Sequence, residues 1–152
     1  MAVWQFEVAL EPREPTTDPN NGASEAALGR PCGREDSDVL RKIDSMLPRR
    51  ESWSEDLVFW GEEDGDRVHA ALDGGEIVEL TARIDLRRPP GAFPSQLVEL
   101  ARYCGVRFST ADGERIPADV RSLSAAARRS EAFRFVLDPC GYFSELVGKP
   151  AI

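Results

Sequence analysis

The sequence predicts an α+β domain: a mainly antiparallel sheet that includes a three-strand meander, with helices packed on one face. Three observations carry this prediction. The runs "AVWQFEVALEP" and "EIVELTARIDLR" alternate apolar and polar residues with the period of a half-buried strand. The stretch from Ser52 to Arg87 holds three such runs joined by "EEDG" and "DGG", both turn sequences. Val39, Leu40, Ile43 and Leu47, and later Leu97, Val98 and Ala101, recur instead at helical spacing. Strands grouped in a meander, with helices in separate connections, make a layered α+β arrangement.

Taken in order, the opening strand puts Trp4, Phe6, Val8 and Leu10 on one side and Val3, Gln5, Glu7 and Ala9 on the other. Residues 11–36, "EPREPTTDPNNGASEAALGRPCGRED", then break the pattern with four prolines and three glycines. They read as a mobile insertion or loop, with a short helix around "ASEAAL". "DSDVLRKIDSMLP" is a helix that Ser37 or Asp38 caps and Pro48 closes.

Within the meander, Val68, Ala70 and Leu72 must share a face with Val78, Leu80, Ala82, Ile84 and Leu86. A three-residue turn from Asp73 to Gly75 satisfies this, setting His69 opposite Glu79 and Arg67 opposite Thr81. The prolines of "RRPPGAFP" end the sheet. "SQLVELARYCGV" is a second helix, capped by Ser95 and stopped by Gly105. "VRFSTADGERIP" is a short edge strand and turn. A helix from Asp119, broken near Ser130, and a last turn that docks Tyr142, Phe143 and Leu146 complete the chain. The first strand should join the sheet beside a long strand of the meander.

At 152 residues the chain fits a single domain spanning 1–152. Its net charge of −8 argues against a nucleic-acid binder, because phosphate backbones require a basic face. The same charge suits a protein partner with a basic surface, and also serves solubility alone. No apolar run approaches the ~20 residues needed to span a membrane. "MAVWQFEVALEPREP" lacks the basic start of a signal peptide. Cys32, Cys104 and Cys140 are odd in number and far apart, which suggests a reducing compartment, with Cys104 and Cys140 as small core residues. These features together predict a cytoplasmic protein.

Candidate chemistry is sparse. His69 is the only histidine, and no nucleophile motif accompanies it, so it reads first as a strand histidine paired with Glu79. No metal-ligand spacing or phosphate loop appears, and no cofactor is predicted. "GEEDGD" gathers Glu62, Glu63, Asp64 and Asp66 at a hairpin tip, outside any calcium-loop pattern. It is either a solvated turn or an acidic knob for a basic partner. Glu79, Arg83, Asp85 and Arg87 alternate in sign along one strand face. Such a row is either a self-neutralising wet surface or, with Trp60 and His69 beside it, a recognition face.

In size, acidity and layout the chain resembles small bacterial immunity proteins of polymorphic toxin systems. That resemblance rests on architecture and charge over most of the chain, and it carries over no site residue. It implies a non-enzymatic binding role toward a basic protein. Two rival readings remain open: a small enzyme or ligand-binding domain using His69, Glu79, Arg83 and Asp85 in a pocket, and a structural subunit that dimerises through a sheet edge.

Overall fold

The alternating faces read from the sequence are realised in one seven-stranded sheet. The computed structural model describes residues 1–12, 34–89 and 91–148. In chain order the elements are β1 (Gln5–Pro12), α1 (Asp36–Asp44), β2 (Arg49–Arg50), β3 (Leu57–Gly61), β4 (Arg67–Asp73), β5 (Glu76–Asp85), α2 (Phe93–Cys104), β6 (Val106–Ser109), β7 (Arg115–Ile116), α3 (Val120–Arg128), α4 (Glu131–Leu137) and α5 (Pro139–Gly148). The strand order is β2-β3-β4-β5-β1-β6-β7, and every neighbouring pair is antiparallel. The α+β class, the meander β3-β4-β5 and the place of β1 beside the long strand β5 are as the sequence predicts.

One face of the sheet is the core. Val8, Val68, Ala70, Leu80, Ala82, Phe108 and Ile116 are buried there, together with Val39 and Ile43 of α1, Leu97, Leu100 and Ala101 of α2, and Leu123 of α3. Each fully buried Val, Leu, Ile or Phe contributes roughly 1.5–3 kcal/mol relative to exposure. The helices therefore lie on this side, and the opposite face of the sheet contributes nothing to the cluster.

Several boundaries differ from the sequence reading. β1 runs to Pro12 and α1 begins at Asp36 after Glu35, so the predicted loop 11–36 starts and ends inside described elements. Residues 13–33 of it, with the "ASEAAL" helix, lie outside the described residues. α1 has no side-chain cap, because Ser37 and Asp38 are already inside the helix. α2 begins at Phe93, with Pro94 in its first turn, so Ser95 is interior as well. Gly105 does close α2, at φ 70. The break near Ser130 is real: its hydroxyl accepts from Phe133 N and caps α4. β6 is an inner strand, not an edge, since β7 pairs outside it.

The cysteines also depart from expectation. Cys104 is buried as predicted, but it is disulfide-bonded. Cys140 is free and exposed. The cysteines therefore no longer favour a reducing compartment. No helix among the described residues is long and apolar enough to cross a membrane.

The register in the meander keeps the predicted faces except at Val78, which was expected in the core, and changes the partners. β4 and β5 are joined by a two-residue turn, Gly74 and Gly75 at φ 58 and 84, which suits a primed hairpin turn. A bulge opposite Ala71/Leu72 then adds one residue on β5. Ile77 turns into the core at 1% exposure and Val78 turns out at 49%. Beyond the bulge His69 faces Thr81, not Glu79, and Arg67 faces Arg83, not Thr81.

The hairpin from β3 to β4 depends on a close backbone approach. Gly61 has φ +84, and a Cβ there would lie 2.1 Å from the carbonyl oxygen of Asp66. Gly61→Ala is expected to cost at least about 2 kcal/mol through the left-handed strain and this collision. Urea unfolding at constant m-value measures it. A loss below about 0.5 kcal/mol would show that the hairpin relaxes without resistance.

Candidate functional site

The second face of the sheet is built from alternate residues of the strands whose other side forms the core, and Thr81, Ser109 and Gln5 are buried on it. Ser109, Ala9, Thr81, His69 and Phe59 lie abreast across five strands. The next row holds Glu7, Arg83, Arg67 and Gly61, and beyond it Gln5 pairs with Asp85. On the far side of the His69 row, Glu79 faces Ala71 and Leu57. The sheet thus presents a band of cationic, aromatic and acidic groups that the pleat alone places on one side.

At the centre of the band the Arg67 guanidinium sits 4.4 Å from the centre of the Phe59 ring. Its Nε is buried without a hydrogen-bond partner. Arg83 reaches Glu7 across the strands at 3.4 Å. The His69 ring lies 6.1 Å from Phe59. Burial, reinforced by the Arg83 charge, pushes the His69 imidazole below its usual range, with Glu79 and Glu7 opposing. The same two causes, burial and then Arg83, lower the Arg67 guanidinium.

The acidic loop 62–66 lies beside this band and is held from beneath. Trp4 Nε1 donates to the Asp64 carbonyl at 2.8 Å, and Gln5 Nε2 donates to the Glu63 and Gly65 carbonyls at 3.0 and 2.7 Å. Arg87 donates to the Asp64 carbonyl at 3.1 Å while its guanidinium lies 4.2 Å over the Trp4 ring. Glu62 N donates to the Asp66 carbonyl, and Arg50 pairs with the Glu62 carboxylate. The backbone is fixed, and the side chains of Glu62, Glu63 and Asp64 stand exposed.

The structure sorts the predicted site residues into three groups. Glu63, Asp64 and Glu79 are exposed, and Glu62 is exposed but paired. His69 and Arg83 are half-buried on the open face. Trp60, Asp66, Asp85 and Arg87 serve the fold. Trp60 is fully buried, and its Nε1 donates to Asp44 at 2.8 Å, so it is no surface anchor. Asp85 is buried, accepts from Arg87 N and Nε at 3.0 Å, and takes its Nη2 at 2.9 Å. Asp66 accepts from Asp85 N at 2.9 Å.

Of the residues expected to share a pocket, Glu79 stands one row from His69 and Asp85 two rows from it on the other side. His69 and Asp85 stand in different rows of the face, and Glu79 lies opposite Ala71. A cavity of about 600 Å³ runs beneath the acidic loop past Asp66, Asp85 and Arg87, but it includes neither His69 nor Glu79. A second, of about 530 Å³ between the chain start and α4, also misses both. Among the described residues, no three His, Cys, Asp or Glu side chains are placed to share a metal ion.

Sequence reasoning missed Trp53. It is 85% exposed on the 51–56 connection, at the end of β3 opposite the acidic loop. Its polar setting, "ESWSED", was the available signal, since it lies in no apolar period. Phe59 and Arg67 on the open face were likewise not singled out as site residues.

Two neighbouring carboxyls are driven in opposite directions. Burial raises the Asp66 carboxyl, with the Asp85 charge adding to it, against the bond from the Asp85 amide. Burial would also raise Asp85, but the side-chain and backbone hydrogen bonds from Arg87 outweigh it and hold Asp85 below the usual carboxylate range. Asp85 therefore contributes stability that is present above its unfolded value and lost as pH falls through its lowered folded one. The Asp66 contribution is present below its unfolded value and lost as pH rises through its raised folded one. At pH 7, Asp85→Asn is expected to lower Tm by about 2–4 °C or more, while Asp66→Asn leaves it level or higher. At pH 3 the Asp85→Asn deficit should shrink. Melting curves at both pH values check this, and equal losses at pH 7 would contradict it.

Compared with known proteins, the chain matches no family model, no curated protein and no solved structure.

Proposed function

We propose that the protein is a non-enzymatic protein-binding module, of the kind an immunity-type inhibitor represents, and that its partner carries a basic surface. The observation that carries this reading is the acidic loop 62–66. Its carbonyls are tied down by Trp4, Gln5 and Arg87, while the Glu63 and Asp64 carboxylates are left in solvent. A recognition loop ordered before binding loses less conformational entropy when a partner docks. The exposed Trp53 at the other end of β3 adds an aromatic of the type that anchors protein interfaces. The net charge of −8 favours encounter with a basic protein.

The rival readings draw less support. An enzyme would need His69 and the carboxylates in one cavity, and they are distributed over separate rows. A subunit dimerising through a sheet edge would use β2 or β7, each only two residues long and each carrying arginine. Short, charged edges give a second chain little to pair with.

The test is an affinity capture from the native cell with charge-reversed loops. Glu63→Lys/Asp64→Lys should weaken retention of a basic partner by roughly tenfold or more. Glu99→Lys/Glu131→Lys, with the same change in net charge on exposed helix positions away from the loop and from Trp53, should retain it. Equal retention by both variants would remove the loop from recognition.

A further inference from the structure

The open face holds one arrangement that protein recognition through the acidic loop does not use. Arg67 and Arg83 are directly opposed on β4 and β5. Like charges in that position destabilise a sheet pair. Arg83 has one carboxylate, Glu7, at 3.4 Å. Arg67 has no ion pair among the described residues, lies 4.4 Å from the centre of the Phe59 ring, and keeps its buried Nε without an acceptor. That Nε has given up solvent without gaining a hydrogen-bond partner, which is a cost. His69, two residues along the same face of β4, makes no hydrogen bond through its ring among the described residues. Three donor-bearing side chains therefore stand on neighbouring positions of one face, Arg67 leaning to Phe59 on β3 and Arg83 to Glu7 on β1.

We propose that Arg67 and Arg83, with the His69 ring beside them, form a binding site for a small oxyanion, either a carboxylate or a tetrahedral group such as sulfate or phosphate. A bridging oxyanion converts the opposed guanidiniums from a repulsive pair into two donors to one acceptor. The Phe59 ring beside Arg67 restricts where its guanidinium can go before the anion arrives. This site stands or fails apart from the proposed protein partner, because its test contains no partner.

His69 is the only histidine in the chain, so its ring gives a single, unambiguous resonance for a titration. The groups acting on it are Arg83, Glu79, Glu7 and Arg67. In sulfate, at ionic strength matched with chloride, its titration midpoint should rise saturably by about half a pH unit or more. Parallel titrations with acetate distinguish a carboxylate site from one for tetrahedral anions, and a saturable response to either supports the proposal. Arg67→Met should abolish the response, and in chloride it should melt at or above the wild-type temperature, because it removes one of two opposed charges. Arg83→Gln should abolish it as well. No anion-specific shift beyond chloride in the wild type, or an undiminished shift in both variants, would overturn the site.

Discussion

The sheet has to bury one whole face, and that requirement arranges the rest of the molecule. Val8, Val68, Ala70, Ala82 and Phe108 are completely buried against α1, α2 and α3 because strict alternation brings them to one side of their strands. The polar residues between them have no choice of position. They form the open face, in rows whose members are fixed by the strand pairing. The polar face of this sheet is thus a by-product of core formation: the same backbone that hides Ala82 on one side sets Thr81 and Arg83 on the other.

A second constraint acts at the end of the sheet where β3 turns into β4. Gly61 allows the chain to fold back onto the Asp66 carbonyl, and Trp4, Gln5 and Arg87 then hold the loop from the side of β1 and β5. Asp85 orients Arg87, and Asp66 caps the Asp85 amide. This explains why several acidic residues that look alike in sequence divide so sharply in role. Asp66 and Asp85 are internal fasteners. Glu63 and Asp64 are what the fasteners present.

How much of this could be read from the sequence follows from the same physics. Period-two alternation reports which face a residue joins, so the core of β1, β4 and β5 was legible. It reports nothing about partners, since sliding one strand by two residues leaves the faces unchanged. That displacement came from a two-residue Gly74–Gly75 turn where a three-residue one was expected, and from a bulge at Val78 that no composition marks. It is also what placed Arg67 opposite Arg83, so the anion site could not be foreseen from spacing. The burial of Trp60 was legible in hindsight: it shares parity with its partner Val68. β2 is only two residues long, too short for any periodic signal. The final helix was misjudged for a related reason: its apolar residues suggested docking, yet Phe143 and Leu146 are 51% and 53% exposed.

The three tryptophans occupy three unlike environments, and this gives the protein a built-in optical map. Trp60 is sealed in the core with its indole N–H bonded to a carboxylate. Trp4 lies against the Arg87 guanidinium, with the Phe135 ring 6.3 Å away and its indole N–H bonded to the acidic loop. Trp53 stands in solvent at the opposite end of β3. Emission at the red edge, open to an aqueous quencher, belongs to Trp53, while the blue, protected component belongs to Trp60. Light from the unmodified chain therefore separates events at the two ends of the sheet, with no label attached.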